Sequence, residues 1–280
     1  MIRVMAMVLV ALLLATPAIA EPVARTPHPV ADSGGESTLG GAAPKVHFTA
    51  PEAAVFAKQV ERDLAAKDAR VAIVFRSGRA RSKLPAGIAY THAAFWVYSD
   101  IKGADGQAYK GYAVYNLYEG DGASLPADQS YLAQDYPLDF MMANQVDDVA
   151  VIIPSSEMQA RLLALIGSPA YERLHVPAYS LVSNPFDARY QNCTEFVLDV
   201  VSAAAWDTHD PAQIRADLRA WFKPTVIHAN PLVRAFGPMF QPGLKMDDQP
   251  GPVETATYES IAAFMQQNHL IATTYVLKDN

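Results

Sequence analysis

The sequence predicts an α+β fold in which helices pack on a mostly antiparallel sheet. Several segments carry apolar residues at the spacing of one helix face, and shorter runs are rich in aromatic and β-branched residues. Asp105-Gly106 lies between two such runs and predicts a tight turn, so the flanking strands should pair antiparallel. No internal repeat is present.

Five helices follow from the apolar spacing, and proline or a capping residue marks most of their starts. They are predicted over residues 51–66, 156–166, 193–204, 211–222 and 258–268. In the fourth helix Ile214, Leu218 and Trp221 are predicted to face inward.

Six strands are predicted over residues 70–75, 89–98, 109–118, 149–153, 179–182 and 271–277. Because side chains alternate along a strand, His92 shares a face with Trp96, and Asn116 shares a face with Tyr118. Residues 131–140 are interpreted as a substrate-facing insertion or a packed loop. Residues 224–252 are interpreted as an extended crossing.

The first twenty residues have the pattern of a secretory signal peptide. A positive charge at Arg3 precedes an apolar run too short to span a bilayer, and small residues lead to a cleavage site after Ala20. Residues 21–45 are predicted to be a flexible linker, and residues 46–280 a single α+β domain. We expect a secreted, periplasmic protein without a transmembrane segment after cleavage.

Charge excludes one class of partner. The formal net charge is −7 and no basic stripe is present, so no nucleic acid partner is expected. Four cations, Arg76, Arg79, Arg81 and Lys83, cluster in a glycine-containing loop. This loop is either an anion site or an ordinary solvated loop.

Cys193 is the only cysteine, so no intramolecular disulfide can form. It directly follows Asn192, a good N-cap, and Glu195 is placed to complete a capping box. A helix start favours negative charge and therefore lowers the pKa of a thiol. Cys193 is thus a candidate nucleophile, and the alternative is a small buried hydrophobic residue.

A thiol nucleophile needs a base, and His92 is the one of seven histidines in the middle of an apolar strand. Asn116, on the next strand, could accept the Nδ1–H of its ring, with Glu119 and Tyr112 as alternative partners. The oxyanion could be bound by the Cys193 backbone N–H and the side chain of Gln191. Cys193 and His92 alone would make a poor zinc site, so neither metal nor cofactor is expected.

The order of these motifs resembles the bacterial family of unknown function DUF2145, over residues 76–205, and the circularly permuted branch of the NlpC/P60 papain-like superfamily. The matching motifs are Arg76-x-Gly78, Tyr90-Thr91-His92-Ala93, Tyr115-Asn116-Leu117-Tyr118, Pro185-Phe186, Tyr190-Gln191-Asn192 and Phe196-Val197-Leu198.

The resemblance implies a papain-like fold with Cys193 as nucleophile, His92 as base and Asn116 as the residue that orients it. Gln191, Tyr90 and Arg76 are the candidates for oxyanion and substrate binding. The expected activity is a thiol-dependent hydrolase or acyltransferase acting on an amide or ester, with cell-wall peptide as one candidate. The substrate stays open among small molecules, peptides and lipid-like compounds. The alternative is a non-catalytic binding or structural module that keeps a decayed papain-like site.

Overall fold

The computed structural model describes residues 47–102, 105–228, 241 and 243–279. The described helices are α1 (Ala50–Ala66), α2 (Pro137–Met142), α3 (Ser156–Ile166), α4 (Pro169–Arg173), α5 (Cys193–Trp206), α6 (Pro211–Trp221) and α7 (Tyr258–Gln267). The described strands are β1 (Val71–Arg76), β2 (His92–Lys102), β3 (Ala108–Glu119), β4 (Ser130–Asp135), β5 (Asp148–Pro154), β6 (Thr225–Ile227), β7 (Val253–Thr255) and β8 (Ile271–Lys278).

Six strands form one sheet in the order β4-β3-β2-β1-β5-β8, and every neighbouring pair is antiparallel. The register places Arg76 opposite His92 and Ala94 opposite Asn116. The carboxyl ends of β1 and β3 therefore meet the amino ends of β2 and β4 at one end of the sheet. β6 and β7 form a separate two-stranded sheet.

Both faces of the sheet are covered. Helices α3, α5 and α7 pack on the face that carries Ile73 and Phe95. Helices α1 and α2 pack on the opposite face, which carries Val74 and Trp96. The two faces alternate along β1 and β2, as the side-chain period of a strand requires. The prediction of an α+β fold with helices on an antiparallel sheet is confirmed.

The cysteine helix begins where its cap predicts. The side chain of Asn192 accepts a hydrogen bond from the backbone N–H of Glu195, at 2.9 Å. This satisfies one of the N–H groups that have no partner inside the first turn. The predicted capping-box role of Glu195 is replaced by an ion pair with Arg215, described below.

Two secondary-structure predictions within residues 131–182 are wrong. Residues 131–140, interpreted as a substrate-facing insertion or a packed loop, belong mostly to β4 and α2, although Tyr131, Ala133, Asp135 and Asp139 do line the cavity of the candidate site. Residues 179–182 do not form a strand, because the N–H groups of Tyr179 and Leu181 bond to the carbonyls of Asp128 and Gly243 in loops. The segment nevertheless lies against the candidate site.

Two further differences lie near the C-terminal third. Trp221, predicted to face inward, is 61% exposed because α6 ends at this residue, beyond its buried stripe of Ile214 and Leu218. Of residues 224–252, interpreted as an extended crossing, the described part includes the short strand β6, which pairs with β7, and residues 229–240 and 242 lie outside the described residues. The predicted signal peptide and the linker of residues 21–45 lie outside the described residues.

Within the described part of the chain, no helix is both long and apolar enough to cross a membrane.

Candidate active site

A cavity of about 330 Å³ opens at the end of the sheet where β1 and β3 end and β2 begins. The start of α5 and residues Tyr179, Leu181 and Val182 form part of its wall. Both Cys193 and His92 line it, although 100 residues separate them in the sequence. The fold therefore brings the predicted nucleophile and base to one cavity.

Cys193 is the first residue of α5 and is 5% exposed. Its sulfur donates a hydrogen bond to the backbone carbonyl of Thr91, at 3.5 Å. The first turn of a helix presents N–H groups that have no carbonyl partner within the helix. Cys193 and Thr194, which belong to this first turn, both line the cavity, and a helix start stabilises negative charge.

His92 is the first residue of β2 and is buried. Its Nε2 lies 3.0 Å from Oδ1 of Asn116, and its ring stacks on Tyr118 with centroids 5.2 Å apart. Burial, and secondarily the charge of Arg76, holds the pKa of His92 well below its usual value. The ring is therefore neutral at pH 7 and can accept a proton. Its contact with Asn116 uses Nε2, not the predicted Nδ1.

Thr91 connects the two groups. Since the Cys193 sulfur contacts the Thr91 carbonyl, bond lengths place it at most about 6 Å from the backbone nitrogen of His92. The side chain of His92 lies on the α2 face of the sheet, near Phe140, whereas α5 approaches from the other face. The cavity lies at the end of the strands and is lined by residues from both faces of the sheet.

Two residues missed by the sequence analysis extend the site. Asp135, at the end of β4, accepts hydrogen bonds from Nδ2 of Asn116 at 3.0 Å and from the hydroxyl of Tyr118 at 2.7 Å. Burial raises the pKa of Asp135. Alternation along β3 places Tyr118 on the face of Asn116. Asp135 lies within residues 131–140, the segment interpreted as a substrate-facing insertion or a packed loop, but no motif there singles out Asp135 itself.

Gln191 does not take the predicted position. It is fully buried and does not line the cavity. Its Oε1 accepts a hydrogen bond from the Val176 backbone N–H, and its Nε2 donates to the Leu174 carbonyl and to Asp199, at 2.7 Å. With these partners its amide is a structural support for the start of α5, and an oxyanion role for Gln191 does not fit this geometry.

A buried ionic network lies behind Gln191. Arg215 of α6 pairs with Glu195 at 2.8 Å and with both oxygens of Asp199. Burial raises the pKa of Glu195 well above its usual value. The network joins α6 to the first two turns of α5 and so helps to fix the helix that carries Cys193.

Tyr90 and Arg76 both line the cavity. The Tyr90 hydroxyl donates to Asp148 at 2.9 Å, and Arg81 binds the same carboxylate at 2.6 and 2.8 Å. Arg76 donates to the Ala143 carbonyl at 3.0 Å and lies over the Phe140 ring. Both side chains are thus anchored while facing the site.

Some of the remaining candidate residues line the cavity and others do not. Of the basic loop, Arg79 and Lys83 also line the cavity, whereas Arg81 is paired with Asp148. Of the alternative partners for His92, Glu119 lines the cavity, and the Tyr112 hydroxyl donates instead to the Ala69 carbonyl, at 2.6 Å.

Thr255 is a further polar residue of the wall that the sequence analysis missed. It is 4% exposed, and its hydroxyl has no hydrogen-bond partner among the described residues. A buried hydroxyl left without a partner costs about 1–3 kcal/mol, so such a group in a cavity wall is a candidate contact for a ligand.

Among the described residues, no group of three or more His, Cys, Asp or Glu side chains is arranged to hold a metal ion. Cys193, His92 and Thr194 all line this cavity, and the first two are the predicted nucleophile and base.

The fold and the cavity define a class: an α+β protein with a helix-start cysteine and a buried histidine at one end of an antiparallel sheet. The chain belongs to the DUF2145 family, described as an uncharacterised protein conserved in bacteria, which matches residues 63–265. Comparison with curated proteins and with solved structures found no match.

Proposed function

We propose that this protein is a thiol-dependent hydrolase or acyltransferase with Cys193 as nucleophile and His92 as general base. The observation that carries the proposal is that both side chains line one cavity, with the cysteine at a helix start. The resemblance to the permuted NlpC/P60 superfamily, and with it a papain-like relationship, is part of this proposal.

The reaction begins from neutral partners. Because the pKa of His92 is lowered, the ring rests neutral, and its free nitrogen takes the thiol proton as sulfur attacks an amide or ester carbonyl. The same lowering makes the imidazole a weaker base, so the proton is held only until it passes to the leaving group. First-turn N–H groups of α5 stabilise the oxyanion. The imidazolium then protonates the leaving amine or alcohol, and a thioester to Cys193 remains.

The second half of the reaction decides between the two activities. When water attacks the thioester, the acid is released and Cys193 regains its proton through His92, which is hydrolysis. When an amine or alcohol attacks, the acyl group is transferred. Cell-wall peptides, other peptides, small molecules and lipid-like compounds are all candidate substrates, and the proposed location is the periplasm after cleavage at Ala20.

The reactivity of Cys193 tests the proposal. The protein beginning at Glu21 is treated with iodoacetamide between pH 5 and 9, and intact mass reports the label because Cys193 is the only cysteine. At pH 6.5 we expect labelling about tenfold or more faster than in the urea-unfolded chain, and we expect His92→Ala to remove the advantage.

His175→Ala is the matched control, because His175 is a half-buried histidine that bonds to Ser130 and does not line the cavity. It should label at the wild-type rate. A Cys193 that labels no faster than the unfolded chain, with no effect of His92→Ala, would refute the assignment.

A second candidate is a non-catalytic binding module built on the same cavity. The burial of Cys193 and its hydrogen bond to the Thr91 carbonyl favour it, since both hold the thiol in its neutral form. This alternative predicts slow labelling of Cys193 at every pH below 8, together with ligand binding that survives Cys193→Ala.

A further inference from the structure

The contacts of Asn116 restrict which way its amide can face. Its Nδ2 lies 3.0 Å from Oδ2 of Asp135, and its Oδ1 lies 3.0 Å from Nε2 of His92. An ionised carboxylate only accepts hydrogen bonds, so the NH₂ group must face Asp135. The carbonyl then faces His92, whose Nε2 must carry the proton.

The carboxylate is itself held in place. Its Oδ2 also accepts the Tyr118 hydroxyl at 2.7 Å, and the ring of Tyr118 stacks on His92 with an interplanar angle of 8°. Asn116 is fully buried, so its amide cannot exchange these partners for water. Asp135 therefore lies at the end of a chain of hydrogen bonds that runs from the His92 imidazole through the Asn116 amide.

We propose that Asp135 is a positioning residue, which fixes the Asn116 amide and thereby keeps the His92 proton on Nε2 and the lone pair on Nδ1. Nδ1 is the nitrogen left to accept a proton. The tautomer is a property of the folded protein, and only its catalytic consequence rests on the function proposed above.

The tautomer can be observed directly. Long-range ¹H–¹⁵N correlation spectra at pH 7.5 distinguish a protonated ring nitrogen from one with a lone pair, and the His92 signals are assigned by their loss in His92→Gln. We expect wild-type His92 to be protonated at Nε2 alone. A wild-type ring protonated at Nδ1 would overturn the proposal without any further variant.

Three variants then test the role of Asp135. Asp135→Leu removes the close acceptor with little change of shape and leaves the Asn116 NH₂ group only the Val114 carbonyl, at 3.5 Å, so the amide can turn and the single Nε2–H form should be lost. Asp135→Asn keeps an acceptor oxygen and should retain that form. Tyr118→Phe removes the other donor to the carboxylate and should also retain it.

Asp135→Ala repeats the test if the leucine variant does not fold. An unchanged Nε2–H form in a folded Asp135→Leu or Asp135→Ala protein would overturn the proposal.

Labelling of Cys193 separates this inference from the proposed function. If both are correct, Asp135→Leu slows labelling at pH 6.5 about tenfold, as His92→Ala does, and Asp135→Asn restores it. If the tautomer shifts but labelling does not depend on His92, the proposed function fails and the role of Asp135 stands. If labelling depends on His92 but the tautomer is the same in Asp135→Leu as in the wild type, the role of Asp135 fails and the proposed function stands.

Discussion

The sulfur of Cys193 lies 3.5 Å from the carbonyl oxygen of Thr91, the residue that precedes His92. Two opposing effects meet at this thiol. The helix start lowers the free energy of the thiolate, whereas a hydrogen bond donated to a carbonyl stabilises the protonated form. In the proposed reaction, a base that removes the proton during attack therefore matters more than a permanently ionised sulfur.

His92 should make stability depend on pH. Its pKa in the folded protein is lowered, so between that value and the unfolded value of about 6.5 only the unfolded chain binds the proton. The contribution of His92 to the free energy of unfolding is fully present above pH 6.5. It is lost as the pH falls below that value, by at most about 1.4 kcal/mol per pH unit. Urea unfolding from pH 7.5 to 5 measures the slope.

The variant His92→Gln removes the titration and should flatten that slope. His175, whose pKa burial lowers as well, supplies a background of the same sign, whereas Glu195 and Asp248, whose pKa values burial raises, supply one of the opposite sign; all three are present in both proteins and cancel in the comparison. An identical slope in wild type and His92→Gln would contradict the assignment of a strongly lowered pKa to His92.

Arg215→Ala should be strongly destabilising. It leaves the carboxylates of Glu195 and Asp199 buried without their cation, which costs about 3–5 kcal/mol. The loss should shrink at low pH, where Glu195, whose pKa is raised by burial, takes up a proton. Urea unfolding at pH 7.5 and 5.5 tests both points.

Lys58→Ala is the control for this charge deletion. Lys58 pairs with Glu61 on the surface of α1 and its side chain is 66% exposed, so its removal should cost less than about 1 kcal/mol. Equal losses for Arg215→Ala and Lys58→Ala would rule out a special contribution of the buried network.

Gly120→Ala should destabilise the turn between β3 and β4. A Cβ at this position would lie 2.1 Å from the Pro126 carbonyl oxygen, so the backbone must shift, at a cost of about 1–3 kcal/mol. Gly251→Ala is the matched control, because a Cβ there meets no described atom within 4 Å. Thermal unfolding that lowers the Tm equally for both would contradict the close approach.

Thr255→Val should raise stability slightly. The hydroxyl of Thr255 is buried without a partner among the described residues, so replacing it with a methyl group removes an unsatisfied group and should gain about 1 kcal/mol. Thr194→Val should lose a similar amount, since its hydroxyl bonds to Asn192 and Ala256, both at 2.8 Å. Urea unfolding of the pair gives the comparison, and a loss for Thr255→Val would mean that its hydroxyl is satisfied.

The sequence was informative where local signals were strong. Proline and capping residues marked the starts of the main helices, and alternation placed His92 and Asn116 on strands that proved to be neighbours. These signals depend on contacts between residues close in sequence, which is why Asn192 could be recognised as the N-cap of α5.

The features that could not be predicted from the sequence depend on contacts between residues far apart in the chain. Gln191 was expected in the site because it neighbours Cys193, but its partners Leu174, Val176 and Asp199 draw its amide into the interior. Asp135 became part of the site only through the pairing of β4 with β3. Neither arrangement can be read from spacing along one segment.

Every residue of α5 from Cys193 to Ala204 is buried. Amide hydrogens of such a helix exchange with solvent mainly through global unfolding rather than through fraying of its end. Chemical modification of Cys193 under native conditions would then have to proceed by entry of the reagent through the cavity. The ratio of labelling rate to α5 hydrogen exchange would therefore measure access to the cavity separately from the opening of the fold.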